Sequence, residues 1–275
     1  MKKLLSYALL QVVASFICAC QGPPTDPLER TGTVEYSRQL KVITSGGFTA
    51  AYSILGPQFE ETTGIKLVSA YGASSGGAPD SIPSRLARGE AADVIILSRS
   101  SLDRLANSGE VRPSTRVDLV RSSIGLAVRR GAPKPDISST EAFISTLIAA
   151  ESIGYSASVS GTYLSTVLFP QLGIWEQIQP KSKRIVGERV ASAVARGDVE
   201  IGFQQISEIL PIEGADYVGP IPTELQEVST FSAGITEGSE NPEDAQKLIE
   251  FLSSEAVAAT IAATGLVPVV WEQDQ

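Results

Sequence analysis

The sequence predicts an α/β fold made of two units joined by long strands. Short apolar runs alternate with helical patterns between residues 40 and 98, and again between residues 152 and 203. Two longer strand-like runs, at residues 122–131 and 227–236, are available to connect the two sets. Strands alternating with helices build parallel sheets through crossover connections.

The first unit opens with an apolar strand at Leu40–Ile43, then a helix at Thr49–Thr62 closed by Gly64. "IKLVSAY" (Ile65–Tyr71) is the second strand, a helical pattern lies at Ile82–Arg88, and "DVIILS" (Asp93–Ser98) is the third strand. "SSIGLAVRRG" (Ser122–Gly131) reads as one long strand. The second unit runs "SIGYS" (Ser152–Ser156), a helix at Thr162–Leu172, "KRIVG" (Lys183–Gly187), a helix at Glu188–Ala195 and "VEIGF" (Val199–Phe203). A long strand at Glu227–Thr236 precedes helices at Pro242–Ser253 and Ser254–Thr264, the latter capped by Gly265.

Residues 1–20 are of another kind. Lys2 and Lys3 precede an apolar run too short for a membrane span, which reads as an export signal. Both cysteines of the chain, Cys18 and Cys20, lie there, and "ICAC" before "QGPPTDP" is similar to a lipoprotein box with Cys20 as the acylated residue. Simple signal cleavage nearby is the alternative. Residues 21–38, rich in Pro, Thr and charge, read as a linker. The domain beyond contains no cysteine, so its core alone must hold it.

The chain has no histidine. This excludes Ser-His-Asp and Cys-His catalysis and the usual zinc sites. A formal charge of −9 argues against nucleic acid as partner. No metal or cofactor is expected.

Each unit also has a strand that ends in a Ser/Gly turn and starts a helix. In the first, Ser45, Gly46 and Gly47 precede Phe48; in the second, Ser158, Ser160 and Gly161 precede Thr162 and Tyr163. A helix start offers unpaired N–H groups and partial positive charge, so two such turns facing each other could hold an anion. Paired glycines fit either a tight turn or the close approach of something to the backbone. Ser74 and Ser75 fit either a helix cap or a ligand contact. Gln204 and Gln205 end an apolar strand, and Arg189 at a helix start opposes the helix dipole unless an anion is near.

At these residues the chain resembles the periplasmic molybdate-binding (ModA-like) proteins of ABC transporters. "LKVITSGGFTAAYSILGPQFEETTGIKLVSAYGASSG", "LARGEAADVIILS", "SGTYLSTVLFPQLGI" and "ARGDVEIGFQQISEI" carry the resemblance, from about Leu40 to Val267. It implies a two-lobed type II periplasmic-binding-protein fold, each lobe a mixed sheet flanked by helices, with crossing strands at Ser122–Arg130 and Glu227–Thr236. The lobes would comprise residues 39–121 plus 231–275, and 122–230. It also implies a small anionic ligand in the cleft, a periplasmic or outer-face location reached through the signal or lipid anchor, an ABC permease as partner, and a monomer.

The departures bear on the ligand. Molybdate binders carry a serine where Gly47 stands and a tyrosine where Gln205 stands, while Glu188 and Arg189 lie opposite the first turn. The segment "GGAPDSIPSR" after Ser75 is longer. Added amide and guanidinium donors suit carboxylates, so an organic di- or tricarboxylate is expected. One branch of the family resembles aconitate isomerase, an enzyme on the same scaffold. An isomerase needs a general base; the candidates are Glu188, Glu208, Tyr163 or a desolvated lysine. Molybdate or tungstate is the third alternative.

Overall fold

A computed structural model describes residues 38–272. The export signal, Cys20 and the linker up to Ser37 lie outside the described residues. Strand β1 (Arg38–Ser45) leads directly into α1 (Gly46–Thr63), which Gly64 ends in the left-handed conformation, its N–H donating to Glu60 O. There follow β2 (Ile65–Gly72), α2 (Ile82–Ala87), β3 (Val94–Ser98), α3 (Arg99–Asn107), β4 (Val117–Ser122) and β5 (Ile124–Arg129). The middle of the chain gives α4 (Thr140–Ala149), β6 (Ile153–Ser156), α5 (Val159–Tyr163), α6 (Phe169–Gln171), α7 (Trp175–Ile178), β7 (Ser182–Ile185), α8 (Val190–Arg196), β8 (Ile201–Gln205), α9 (Ile206–Ile209) and β9 (Ala215–Pro220). The chain continues with β10 (Ser229–Ile235), α10 (Pro242–Leu252), α11 (Glu255–Ala262) and β11 (Val267–Pro268).

Two mixed sheets result, in the orders β11-β4-β10-β3-β1-β2 and β7-β6-β8-β5-β9. β1 pairs in parallel with β2 and β3, whereas β10 returns from late in the sequence and inserts antiparallel between β3 and β4. In the second sheet β6 pairs in parallel with β7 and β8, and β5 pairs antiparallel with β8 and β9.

Both faces of the first sheet are covered, which explains why its strands read as continuous apolar runs. Side chains alternate across a strand: Val94 and Ile96 join a core with α1, α10 and α11, while Ile95 and Leu97 join one with α2 and α3. The second sheet packs Ile124, Leu126 and Val128 against an aromatic cluster in which Phe143 and Phe203 meet edge-on at 5.7 Å.

Three local differences from the sequence reading have physical causes. The strand expected at Ser122–Gly131 is the second half of a longer path: β4 belongs to the first sheet, Ser123 interrupts it, and β5 continues in the second. The helix expected at Thr162–Leu172 starts earlier, at Val159, and its backbone widens by one residue per turn over Leu164–Leu168. Pro170, which has no N–H to donate, lies just beyond. Strand β9 was not anticipated; it is half-buried throughout apart from an exposed Pro220, so it lacks an apolar signature.

Gly161 shows how tightly α5 sits on β6. A Cβ there would lie 1.8 Å from Ser156 O, a backbone atom that cannot rotate away. Gly77 has open space and no positive φ. Gly161→Ala is therefore expected to cost about 1–3 kcal/mol, lowering Tm by about 2–4 °C per kcal/mol, while Gly77→Ala leaves Tm within about a degree of the parent. Thermal unfolding of both variants checks this; equal Tm values would remove the packing argument.

Candidate functional site

A cavity of about 350 Å³ lies between the two sheets. One wall is the start of α1 with Gly46, Gly47 and Thr49, the end of β2 at Tyr71, and Ser74 and Asp80 beyond it. The other wall brings Ser156, Ser158 and Ser160 from the β6–α5 turn, Glu188 and Arg189 before α8, Gln204 and Gln205 at the end of β8, and Glu208 on α9. Phe231 on β10 closes the base.

Gly46 and Gly47 answer to two different neighbours. A Cβ on Gly46 would lie 2.0 Å from Glu208 Oε1, so the missing side chain lets that carboxyl rest over the helix start. A Cβ on Gly47 would lie 2.1 Å from Phe231 Cζ, so this glycine makes room for an aromatic ring of the core. Ser207 Oγ, beside Glu208, donates to Gly47 O at 2.8 Å and ties α9 to α1. Both glycines thus permit close approach by protein groups. α1 has no acidic residue in its own first turn; Glu208 brings one from far along the chain.

Burial pushes the Glu208 carboxyl up to about 7, against the opposing pull of the Arg189 charge and a hydrogen bond from the Gln204 amide. The residue itself is partly exposed to the cleft, but protein surrounds its carboxyl closely. Gln204 is oriented from its other end: its Oε1 accepts from Val190 N, the first residue of α8, at 2.8 Å. The NH₂ is thereby left to face Glu208. Arg189 is half-buried and lines the cavity, its charge acts on Glu208, and its side chain has no salt bridge or hydrogen bond among the described residues. Glu188 is exposed, and both its oxygens accept from Arg196, at 2.8 and 2.9 Å.

Gln205 is nearly fully buried and belongs as much to the crossing between the sheets as to the cavity. Oriented so that both ends are satisfied, its NH₂ donates to Ser122 Oγ at 2.6 Å and its carbonyl accepts from Ser229 Oγ at 3.0 Å. These serines flank the two passages of the chain from one sheet to the other. Gln226 pins the same region, donating to Ile124 O and accepting from Ile124 N.

The remaining predicted residues divide. Ser74 lines the cavity and accepts from Ser98 N at 3.0 Å; Ser75 lies outside the lining. Ser158 and Ser160 line it, and Ser160 Oγ hydrogen-bonds Ser156 Oγ at 3.1 Å. Gly161 lies behind them, Thr162 Oγ1 donates to Ser158 O, and Tyr163 packs on the second sheet's core with its hydroxyl donating to Leu225 O. Phe48 is a core residue of the first sheet, and Ser45 is buried behind the glycines, its hydroxyl without a partner among the described residues. Asp80, Tyr71, Ser156 and Phe231 were not foreseen. Asp80 stands inside the extended "GGAPDSIPSR" segment, which was the available signal; Phe231, mid-strand, had none. No group of three or more metal-ligating side chains occurs among the described residues.

The Glu208 shift has a stability consequence. Below an ordinary pKa of 4.5 both folded and unfolded chains carry this proton; between 4.5 and about 7 only the folded chain keeps it. Its contribution is therefore lost as pH rises through that window, on the order of 3 kcal/mol in full. Glu208→Gln should flatten the fall in Tm between pH 5 and pH 8. A fall as steep as the parent's would show that Glu208 titrates normally.

The same architecture occurs in known proteins. A family model described as bacterial extracellular solute-binding protein matches residues 40–267. An aconitate isomerase from Pseudomonas sp is 44% identical over 230 residues, spanning 84% of this chain and 88% of that one. The periplasmic molybdate-binding protein of Azotobacter vinelandii superposes with a TM-score of 0.67 at 21% identity, over 83% of this chain and 98% of that one. The sulfate-binding protein SubI of Mycobacterium tuberculosis H37Rv gives 0.69 at 19% identity, over 84% and 87%. These two structural likenesses speak to fold alone. With its two mixed sheets, its crossing strands and a family match over most of its length, the chain belongs to the bacterial extracellular solute-binding proteins.

Proposed function

We propose that this protein binds a tricarboxylate between its two sheets and interconverts cis- and trans-aconitate. The observation that carries the reading is an acid inside an anion site. Arg189, the Gln204 amide and the start of α1 all favour negative charge in the cavity, yet Glu208 stands among them. Once ionised, that carboxyl repels a fully ionised ligand, which a receptor has no need of. A proton-transfer catalyst needs one whose proton affinity matches working pH. The 44% identity to the Pseudomonas aconitate isomerase supports the same substrate class.

A second reading, a receptor that delivers a carboxylate to an ABC permease, is favoured by the family and by the two-sheet cleft itself. Both readings include export, with Cys20 as lipid anchor. Molybdate and tungstate fit less well: of the donors expected to select a ligand, Arg189 lines the cavity, and a planar guanidinium matches a carboxylate in two-pronged fashion.

Two measurements test the proposal. Purified protein incubated with cis-aconitate should yield trans-aconitate, with kcat/KM rising as pH passes about 7, because the ionised form of Glu208 is the base. Tight aconitate binding with no interconversion would leave the receptor reading. Separately, Arg189→Ala should weaken aconitate binding by about tenfold or more, the loss of one charge-assisted hydrogen bond, with little effect on molybdate. Calorimetric titration of parent and variant checks it, and tight molybdate binding with no response to carboxylates would overturn the ligand class.

A further inference from the structure

We propose that residues 73–82 form a strap that gates the cavity from one side. Its tip, at Gly76 and Gly77, swings off the second wall to admit a ligand while the α9 side stays closed. The proposal rests on the reading that a carboxylate is held in this cavity. It gives a role to the extended segment after Ser75, which that reading leaves without one.

Both arms of the strap are fastened to the first-sheet half. Ser98 N donates to Ser74 Oγ at 3.0 Å, and Ile82 N donates to Ala73 O at 2.9 Å, closing the base. On the returning arm Arg88 Nη2 donates to Pro79 O at 2.6 Å. Asp80 O lies so close over Gly72 that a Cβ there would be 2.2 Å from it. Between these anchors, no hydrogen bond joins Ser75, Gly76 or Gly77 to another described residue. Gly76 has a φ of +93°, and Gly77 has open space where a Cβ would stand. A segment without backbone hydrogen bonds, held only at its ends, belongs to the least stable parts of a fold.

The tip meets a fixed seat. A Cβ on Gly76 would lie 3.0 Å from Ala157 O, on the turn between β6 and α5. Ala157 is held on both sides: its N–H donates to Ile185 O at 2.9 Å, and its carbonyl accepts from Arg184 Nη2 at 3.1 Å. Ala73, Ser74 and Asp80 of the strap line the cavity, and so does Ala157. The seam between tip and seat therefore runs along the cavity rim.

The opposite side is built otherwise. Ser207, fully buried, donates to Gly47 O at 2.8 Å. Ile206 and Leu210 crowd Gly265, where a Cβ would lie 2.9 and 2.8 Å from them. Parting the halves at α9 breaks a buried hydrogen bond and a packed contact, which leaves polar groups unpaired. Lifting the strap breaks only van der Waals contact at a glycine. The cheaper motion is the one that opens, and lids of this kind move in microseconds to milliseconds.

The test uses the whole chain, isotope-labelled for NMR, without ligand. Relaxation dispersion should show microsecond-to-millisecond exchange at Ser75, Gly76, Gly77 and Ala157, and flat profiles from Ser207 to Leu210. Equal exchange on both sides would mean that the halves part as whole bodies. Flat profiles at the strap would mean a fixed rim. Either result overturns the gate. A second arm follows dissociation of cis-aconitate by stopped-flow mixing. Gly76→Val sets a β-branched side chain at positive φ and against Ala157 O, so the tip cannot reseat, and dissociation should quicken by about tenfold. Arg184→Ala loosens the seat from the other wall and should shift the rate in the same direction, while Gly77→Ala should leave it at the parent value. A Tm within about a degree of the parent shows that Gly76→Val is folded. Unchanged dissociation in both Gly76→Val and Arg184→Ala would overturn the gate. If the parent binds no cis-aconitate, the ligand reading fails, and the relaxation experiment still decides the strap.

Discussion

A carboxyl group of one half of the molecule rests on the first turn of a helix from the other. Much of the site follows from this contact between Glu208 and Gly46. It requires a residue without a Cβ at the helix start and a short helix, α9, set immediately after β8. It also requires a hydroxyl at Ser207 to hold the two helices in register. It places a proton-holding group where unpaired backbone N–H groups and Arg189 would otherwise make a plain anion site. The electrostatics oppose each other by design of position: burial raises the carboxyl's hold on its proton, and the cationic surroundings lower it.

The two adjacent glutamines divide the work of keeping that geometry. Gln204 links the first turn of α8 to Glu208, and Gln205 links the strands that pass between the sheets. Both sit at the end of β8 with alternating directions, as neighbours on a strand must. One therefore addresses the site and the other the crossing. Their burial demands that every amide atom find a partner, and this constraint fixes both orientations.

Much of the scaffold was legible in the sequence because its central strands are buried on two faces. β1, β3 and β8 appear as apolar runs bounded by Gly, Ser or charge, while β2, at the sheet edge, mixes buried and exposed positions. α4 was missed because only Phe143 and Leu147 are fully buried, too few to set a periodic pattern. The paired glycines of the first Ser/Gly turn fitted either a tight turn or a close approach, and the sequence could not say which, nor what approaches. Phe231 and Glu208 reach Gly47 and Gly46 from more than a hundred and fifty residues away, and such pairings leave no local trace. Gln205 lines the cavity as well as engaging Ser122 and Ser229, and nothing in the sequence signals that second engagement.

The insertion of β10 between β3 and β4 has a consequence for assembly. The strands of the second sheet form an unbroken stretch, residues 124–220, so its contacts close over modest loops. The first sheet has its central strand missing until the last part of the chain is in place. Loop closure over such a separation is an entropic cost met before any contact rewards it, and non-local pairing of this kind slows folding. A chain emerging from its N-terminus can complete the half that carries Glu208 while the half that carries Gly46 still lacks its middle strand. The first-sheet wall of the cleft is complete only when β10, from late in the chain, has paired with β3 and β4 from its first half.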